Sequence, residues 1–290
     1  MFQGVMTAIV TPFKEGNFDE TSFSALIDWQ IKNGVDALVV CGTTGEAATL
    51  SLAEHERVIQ VAVDVAAGRV PVIAGAGSNC TTKAIQLAKQ AKKNRADAQL
   101  QVTPFYNKPM QEGLYQHFKA IAAMVDLPII LYNVPGRTAV NMLPETVARL
   151  AQIDNIVGIK EASGNLGQIR RIITDTPEDF GLYSGEDAQN YDIYAAGGDG
   201  CISVTSNVAP YIVSQIWDKF EAGNKDEAKK MQADLEILNK TMFMETNPIP
   251  AKTALALMGK CKEEFRLPLT PISSAHKEEL KSVLTQYNLL

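Results

Sequence analysis

Pro128-Ile-Ile-Leu-Tyr-Asn-Val-Pro-Gly-Arg-Thr138 is an apolar run that breaks off into a polar turn. Its first half shows no polar alternation, so it suits a strand covered on both faces, as in a parallel sheet layered with helices. Ala37-Leu-Val-Val40 has the same character. Boundaries of Gly, Pro, Asn or Asp isolate strand candidates at 4–11, 37–42, 71–76, 98–103, 128–133, 156–161, 180–185 and 200–205. The intervening stretches 21–33, 53–67, 81–93, 111–124, 144–151, 165–174, 188–196 and 209–222 carry apolar residues at helical spacing, as in Leu26, Ile27 and Trp29. Eight alternating units close naturally into an α/β fold of the (β/α)8 barrel type. The rival, an open doubly wound sheet, usually has fewer strands and often a Gly-rich phosphate turn.

Beyond residue 223 the strand pattern stops. The stretches 224–240, 248–260 and 273–287 predict three helices, so the expected organisation is a catalytic barrel over 1–223 and a C-terminal helical extension over 224–290, divided at Gly223-Asn224.

Composition narrows the function. The 290 residues are 46% hydrophobic and carry a formal charge of -6, which leaves no general basic surface for nucleic acid or an anionic membrane. Cys41, Cys80, Cys201 and Cys261 are widely spaced without a CxxC, and three histidines accompany them, so neither a disulfide framework nor a zinc site is indicated. No apolar run reaches the ~18 residues of a membrane span, and the start lacks a signal-peptide pattern; the expectation is a cytoplasmic enzyme. P-loop, HExxH and GxSxG motifs are missing, and Gly75-Ala-Gly77-Ser-Asn-Cys80 lacks the third glycine of a dinucleotide fingerprint. His55, His117 and His276 fall in predicted helices, which disfavours a histidine triad or metal cluster.

In such barrels the reactive groups sit where strands run into the following loops. Strand 2 enters Gly42-Thr43-Thr44-Gly45-Glu46, whose amides and hydroxyls could hold a small carboxylate; an ordinary turn with a capping threonine explains the same residues. Strand 5 ends in Tyr132, Asn133 and Arg137, a phenol able to pass a proton and a guanidinium able to hold a carboxylate, or else a packed tyrosine beside a surface arginine. Strand 6, Ile156-Val-Gly-Ile-Lys160-Glu161, places a lysine inside an apolar run. Burial lowers a lysine pKa, and a neutral amine in a pocket attacks ketones to give a Schiff base; the competing reading is an ion pair with a buried carboxylate. Tyr106 follows strand 4, Gly185 follows strand 7, and Ile202 lies in strand 8, where Gly185 permits close approach of a ligand and Ile202 is also explained by barrel packing.

Taken together, Gly42-Thr-Thr-Gly-Glu46, Tyr132-Asn-Val-Pro-Gly-Arg-Thr138 and Gly158-Ile-Lys160-Glu-Ala-Ser-Gly164 resemble the dihydrodipicolinate synthase family, within the wider group of lysine-dependent pyruvate aldolases, over essentially the whole chain. The resemblance implies a lyase in which Lys160 condenses with pyruvate, and the enamine attacks aspartate 4-semialdehyde on the diaminopimelate route to lysine. It implies a proton relay of Tyr132, Thr43 and Tyr106, the last from a neighbouring subunit. Thr44 and Thr43 would hold the pyruvate carboxylate, Arg137 the semialdehyde carboxylate, with Gly185 and Ile202 beside the substrate. It implies no metal or organic cofactor, and a homotetramer built as a dimer of dimers, with apolar residues of 165–196 offered for the weaker contact. The alternative is a sibling aldolase acting on a sugar acid, although such relatives generally depart from the Asn-Val-Pro-Gly-Arg-Thr sequence.

Regulated members bind lysine near positions matching Ala48, His55, Asn79, Lys83 and Phe105. Here Lys83 stands where sensitive members carry an acid, and Phe105 lacks a tyrosine hydroxyl, so the expectation is weak or absent lysine feedback.

Overall fold

The computed structural model describes residues 2–290. Eight strands, β1 (Gly4–Ala8), β2 (Ala37–Val40), β3 (Val72–Gly75), β4 (Ala98–Val102), β5 (Ile129–Asn133), β6 (Ile156–Glu161), β7 (Gly181–Ser184) and β8 (Gly200–Ser203), pair in parallel and close on themselves through β1, which meets both β2 and β8. The helices α1 (Glu20–Lys32), α2 (Leu52–Ala66), α3 (Thr81–Lys93), α4 (Gln111–Met124), α5 (Pro144–Leu150), α6 (Leu166–Asp175), α7 (Asn190–Ala196) and α8 (Pro210–Glu221) alternate with them.

The period of two along each strand divides the core in two. Met6, Val39, Ile73, Ile130, Tyr132, Tyr183 and Ile202 fill the inside of the barrel. Their strand neighbours Val5, Leu38, Val40, Leu131 and Ile159 face the helices. Parallel strands buried on both faces must be apolar at nearly every position, which is why the runs were readable. Closure demands one glycine: Gly200 has φ +142°, and a Cβ there would fall 2.0 Å from the carbonyl oxygen of Gly4.

The tail differs from expectation in one respect. The stretch 224–240 forms two helices, α9 (Lys225–Asp234) and α10 (Glu236–Thr241), followed by α11 (Ile249–Leu257) and α12 (Ser274–Gln286), so the extension has four helices in place of three. The chain bends at Leu235, with φ -88° and ψ -3°, and the bend accompanies burial of Leu235, Leu238 and Met242 in the core. A small hairpin, Phe13–Lys14 with Asn17–Phe18, was also missed, its strands being too short to show alternation.

The tail is bonded to the loop end of the barrel. Lys252 of α11 reaches Glu46 of the loop after β2. Arg266 pairs with Glu54 and donates to the carbonyl oxygens of Thr49 and Gly16. Segment 165–196 presents no large exposed apolar side chain: Ile169 and Ile172 point into the core and Tyr191 packs edge-on against Phe220. Leu166, Ile173 and Tyr191 of the same segment pack against the core and stay half-buried.

Candidate active site

The strand register brings the key side chains to one level. In adjacent strands Tyr132 pairs with Lys160, and Lys160 with Tyr183. Because side chains alternate, Ile159 and Glu161 turn towards the helices while Lys160 turns into the barrel. Lys160 Nζ stands 4.5 Å from the centre of the Tyr132 ring, and it forms no ion pair among the described residues. Burial pulls its amine down to about 8, assisted by Arg137 and opposed by Asp187, Cys201 and Glu186. Burial pushes the Tyr132 phenol up to about 12, while the charge of Arg137 and the hydroxyl of Thr43 oppose the rise. Lysine is thus the group nearer its working range at neutral pH, and tyrosine holds its proton.

Room for the lysine is kept by Gly185. A Cβ at that position would lie 2.7 Å from the Ala162 Cβ and 3.1 Å from Lys160 Cε, so any larger residue would press on the amine's own stem.

The loop carrying Arg137 is fixed from behind by buried polar groups. Asn133 donates to both Glu161 oxygens at 3.2 and 3.0 Å and accepts the Met142 amide at 2.9 Å. Gln168 and the amide of Ser163 complete the Glu161 carboxylate. In front, Arg137 Nη2 donates to the carbonyl oxygen of Asn247 at 3.3 Å, and the Asn247 amide donates to Thr44 Oγ1 at 3.0 Å. One tail residue therefore touches both anion-binding candidates.

These groups surround a cavity of about 220 Å³ lined by Thr43, Thr44, Tyr132, Arg137, Lys160 and Gly185, together with Glu186, Phe243 and Asn247. Ile202 does not line it; the side chain is packed inside the barrel and 1% exposed. Among the described residues no three His, Cys, Asp or Glu side chains gather to hold a metal ion, and no helix is long and apolar enough to cross a membrane.

A family model described as the Dihydrodipicolinate synthetase family matches residues 1–287. The chain belongs to this family. It is 54% identical to a 4-hydroxy-tetrahydrodipicolinate synthase of Thermodesulfovibrio yellowstonii, with both chains covered completely. A crystal structure of the Thermotoga maritima dihydrodipicolinate synthase superposes with a TM-score of 0.99 at 49% identity, again over the whole of both chains. The Acinetobacter baumannii synthase, a chloride-inhibited enzyme solved with pyruvate, superposes at 0.98 with 46% identity over the whole of both chains.

Within this dihydrodipicolinate synthetase fold, Tyr106 stands apart from the cavity. It is 89% exposed, and its φ of +74° is unusual for a non-glycine residue. Asn79 and Asn107 brace the strained loop: Asn79 Nδ2 donates to the carbonyl oxygen of Phe105, and Asn107 Nδ2 to that of Asn79. Ala48, His55, Lys83 and Phe105 line a second cavity of about 610 Å³ that shares Thr43, Tyr132, Arg137 and Asn247 with the first. Asn79 is engaged with the Tyr106 loop instead. His55 Nε2 bonds the Gly75 carbonyl oxygen at 2.7 Å, and its Nδ1 has no partner.

Sequence reasoning passed over Glu186, Phe243, Asn247 and the Glu46–Lys252 pair. Glu186 directly follows Gly185 at a strand end, where the reactive groups of such barrels sit. The tail residues carried no comparable signal, because a polar break between helices looks like any surface turn.

Proposed function

We propose that the chain condenses pyruvate with L-aspartate 4-semialdehyde, the reaction of 4-hydroxy-tetrahydrodipicolinate synthases on the diaminopimelate route to lysine. The observation that carries this reading is the Lys160 amine: buried, without an ion pair, held at about 8 and lining one small cavity with Thr44 and Arg137. The pyruvate complex of the A. baumannii relative supports the choice of the first substrate.

The neutral Lys160 amine adds to the keto carbon of pyruvate, and water leaves to give a protonated imine. Its positive nitrogen draws in the electron pair released when a methyl C–H bond breaks, and the enamine carbon so formed attacks the aldehyde. The amine of the semialdehyde then closes on the imine carbon and expels Lys160. Thr43 and Thr44 receive the pyruvate carboxylate and Arg137 the semialdehyde carboxylate. Tyr132, Thr43 and the partner subunit's Tyr106 carry protons, and Gly185 and Ile202 shape the surroundings. No metal or organic cofactor enters the scheme, since the iminium nitrogen is the electron sink.

The exposure of Tyr106, the bracing of its strained loop and the exposed Leu52, Phe105 and Met110 support a dimer in which this tyrosine works across the interface. The proposal extends to a tetramer of two such dimers and, for a step of amino-acid biosynthesis, to a cytoplasmic setting.

Borohydride reduction in the presence of pyruvate should fix the pyruvate skeleton on Lys160, located by peptide mass; a label on another residue overturns the mechanism. A coupled assay with both substrates tests the reaction itself. Arg137→Ala should raise the semialdehyde KM by roughly 10- to 100-fold while pyruvate trapping persists.

A further inference from the structure

The run Gly75-Ala-Gly77, which fits no dinucleotide fingerprint, has another use. Gly75 ends β3 beside β2, where Val40 pairs with Ala74. A Cβ on Gly75 would fall 2.0 Å from the carbonyl oxygen of Cys41, 2.6 Å from its carbonyl carbon and 3.1 Å from the Gly42 nitrogen. All three are backbone atoms, so no change of rotamer relieves the overlap. A glycine inside a strand marks the close approach of another backbone. Here the approaching backbone is the peptide that opens the Thr43-Thr44 turn, and Cys41 takes it in a left-handed conformation, φ +54°, that is uncommon outside glycine.

His55 of α2 ties the two sides together. Its Nε2 donates to the Gly75 carbonyl oxygen at 2.7 Å, and its own carbonyl oxygen accepts the Cys41 thiol at 3.7 Å. The far side of the turn is held elsewhere: Thr44 by Asn247, Gly45 by Thr11 Oγ1 at 2.7 Å, and Glu46 by Lys252. With residues 44 to 46 pinned, a push on the Cys41-Gly42 peptide is taken up at Thr43. That residue hydrogen-bonds the Tyr132 phenol and lines the cavity of Lys160.

We infer that Gly75, clamped by His55, is a positioning residue for the carboxylate of the 2-keto acid: its missing side chain seats the Cys41-Gly42 peptide and so sets Thr43 against Tyr132 and Lys160. This rests on the function proposed above. Gly75 and His55 act through Thr43, and the first half of the reaction, imine formation with pyruvate, is the half that depends on them.

The test separates the two half-reactions, since kcat/KM for pyruvate reports imine formation and kcat/KM for the aldehyde reports the condensation that follows. Gly75→Ala should lower the pyruvate value, and the second-order rate of borohydride trapping with it, by roughly 10- to 100-fold. The value for aspartate 4-semialdehyde should stay within about threefold. His55→Leu should lower the pyruvate value by roughly three- to tenfold, and His55→Gln, which can still donate to the Gly75 carbonyl oxygen, should recover most of the loss. Thermal denaturation identifies the folded variants, and where Gly75→Ala does not fold the two His55 variants decide. Equal losses in both half-reactions, or an unchanged pyruvate value in folded Gly75→Ala or in His55→Leu, overturn the positioning role. Failure of pyruvate to label Lys160 in the unmodified protein would instead overturn the function on which that role rests.

Discussion

Lys252 Nζ lies 2.6 Å from Glu46 Oε1, and both side chains are fully sealed from solvent. The lysine also stands 4.0 Å from the centre of the Phe13 ring. Burial pulls the Lys252 amine down from its usual value, and the Glu46 carboxylate partly restores it. The pair joins the second helix pair of the tail to the turn that carries Thr43 and Thr44, with Glu46 held at φ +53°.

Breaking a buried pair from one side leaves an uncompensated charge, whereas removing both ends does not. Lys252→Met or Glu46→Gln alone should therefore cost on the order of 3–5 kcal/mol of stability. The double variant should recover much of that loss. Guanidinium denaturation of the three variants checks this; equal losses in single and double variants would contradict it.

The Lys160 amine, at about 8, must be neutral to attack a ketone. The second-order rate of imine formation with pyruvate should therefore rise with pH through about 8 and level off above it. Stopped-flow or quenched borohydride trapping between pH 6 and 10 reads the profile. A rate that keeps rising towards the ordinary lysine value near 10.5 would show that burial does not tune this group.

The same tuning carries a stability cost. The unfolded chain holds the Lys160 proton up to about 10.5, and the folded chain only to about 8. Between those values the unfolded state binds the extra proton, so stability rises with pH across that window, and the penalty is fully present below about 8. Lys160→Met should consequently stabilise the protein by up to about 3 kcal/mol at neutral pH, with the gap closing as pH approaches 10.5. Thermal denaturation at pH 7 and pH 10 distinguishes this from a simple packing effect, which would be the same at both.

Lysine should inhibit weakly or not at all, with half-maximal inhibition no lower than the millimolar range. The cationic Lys83 lines the cavity where such an effector would sit, and Phe105 offers it no hydroxyl. Lys83→Glu should strengthen inhibition. Submillimolar inhibition of the unmodified protein in the coupled assay contradicts the expectation.

The barrel was legible because each of its strands is buried on two sides, which forces runs such as Ile129-Ile-Leu131 to stay apolar. Lys160 was legible for the same reason, as a charge where none is tolerated without purpose. Thr44, Arg137 and Gly185 followed from their positions after strands. Less accessible was anything that depends on distant segments meeting: Asn247 touches Thr44 across 203 positions of chain, and no local pattern announces that. Tyr106 is exposed in a loop where both Tyr106 and Lys108 have positive φ, which an aromatic residue in a loop does not advertise. Ile202 points into the barrel and is 1% exposed, in the packing that its strand position also explains.

Asn247 gives its carbonyl oxygen to Arg137 and its amide to Thr44, while Lys252, five residues on, grips Glu46. The last quarter of the chain is thus bonded to loops from near its beginning and its middle. A chimera given these helices from a relative would keep the contacts only where its residues at 247 and 252 offer the same donors and acceptors. A stretch that looks, by its helices alone, like a dispensable cap thus supplies part of the wall at the barrel's mouth through Phe243 and Asn247.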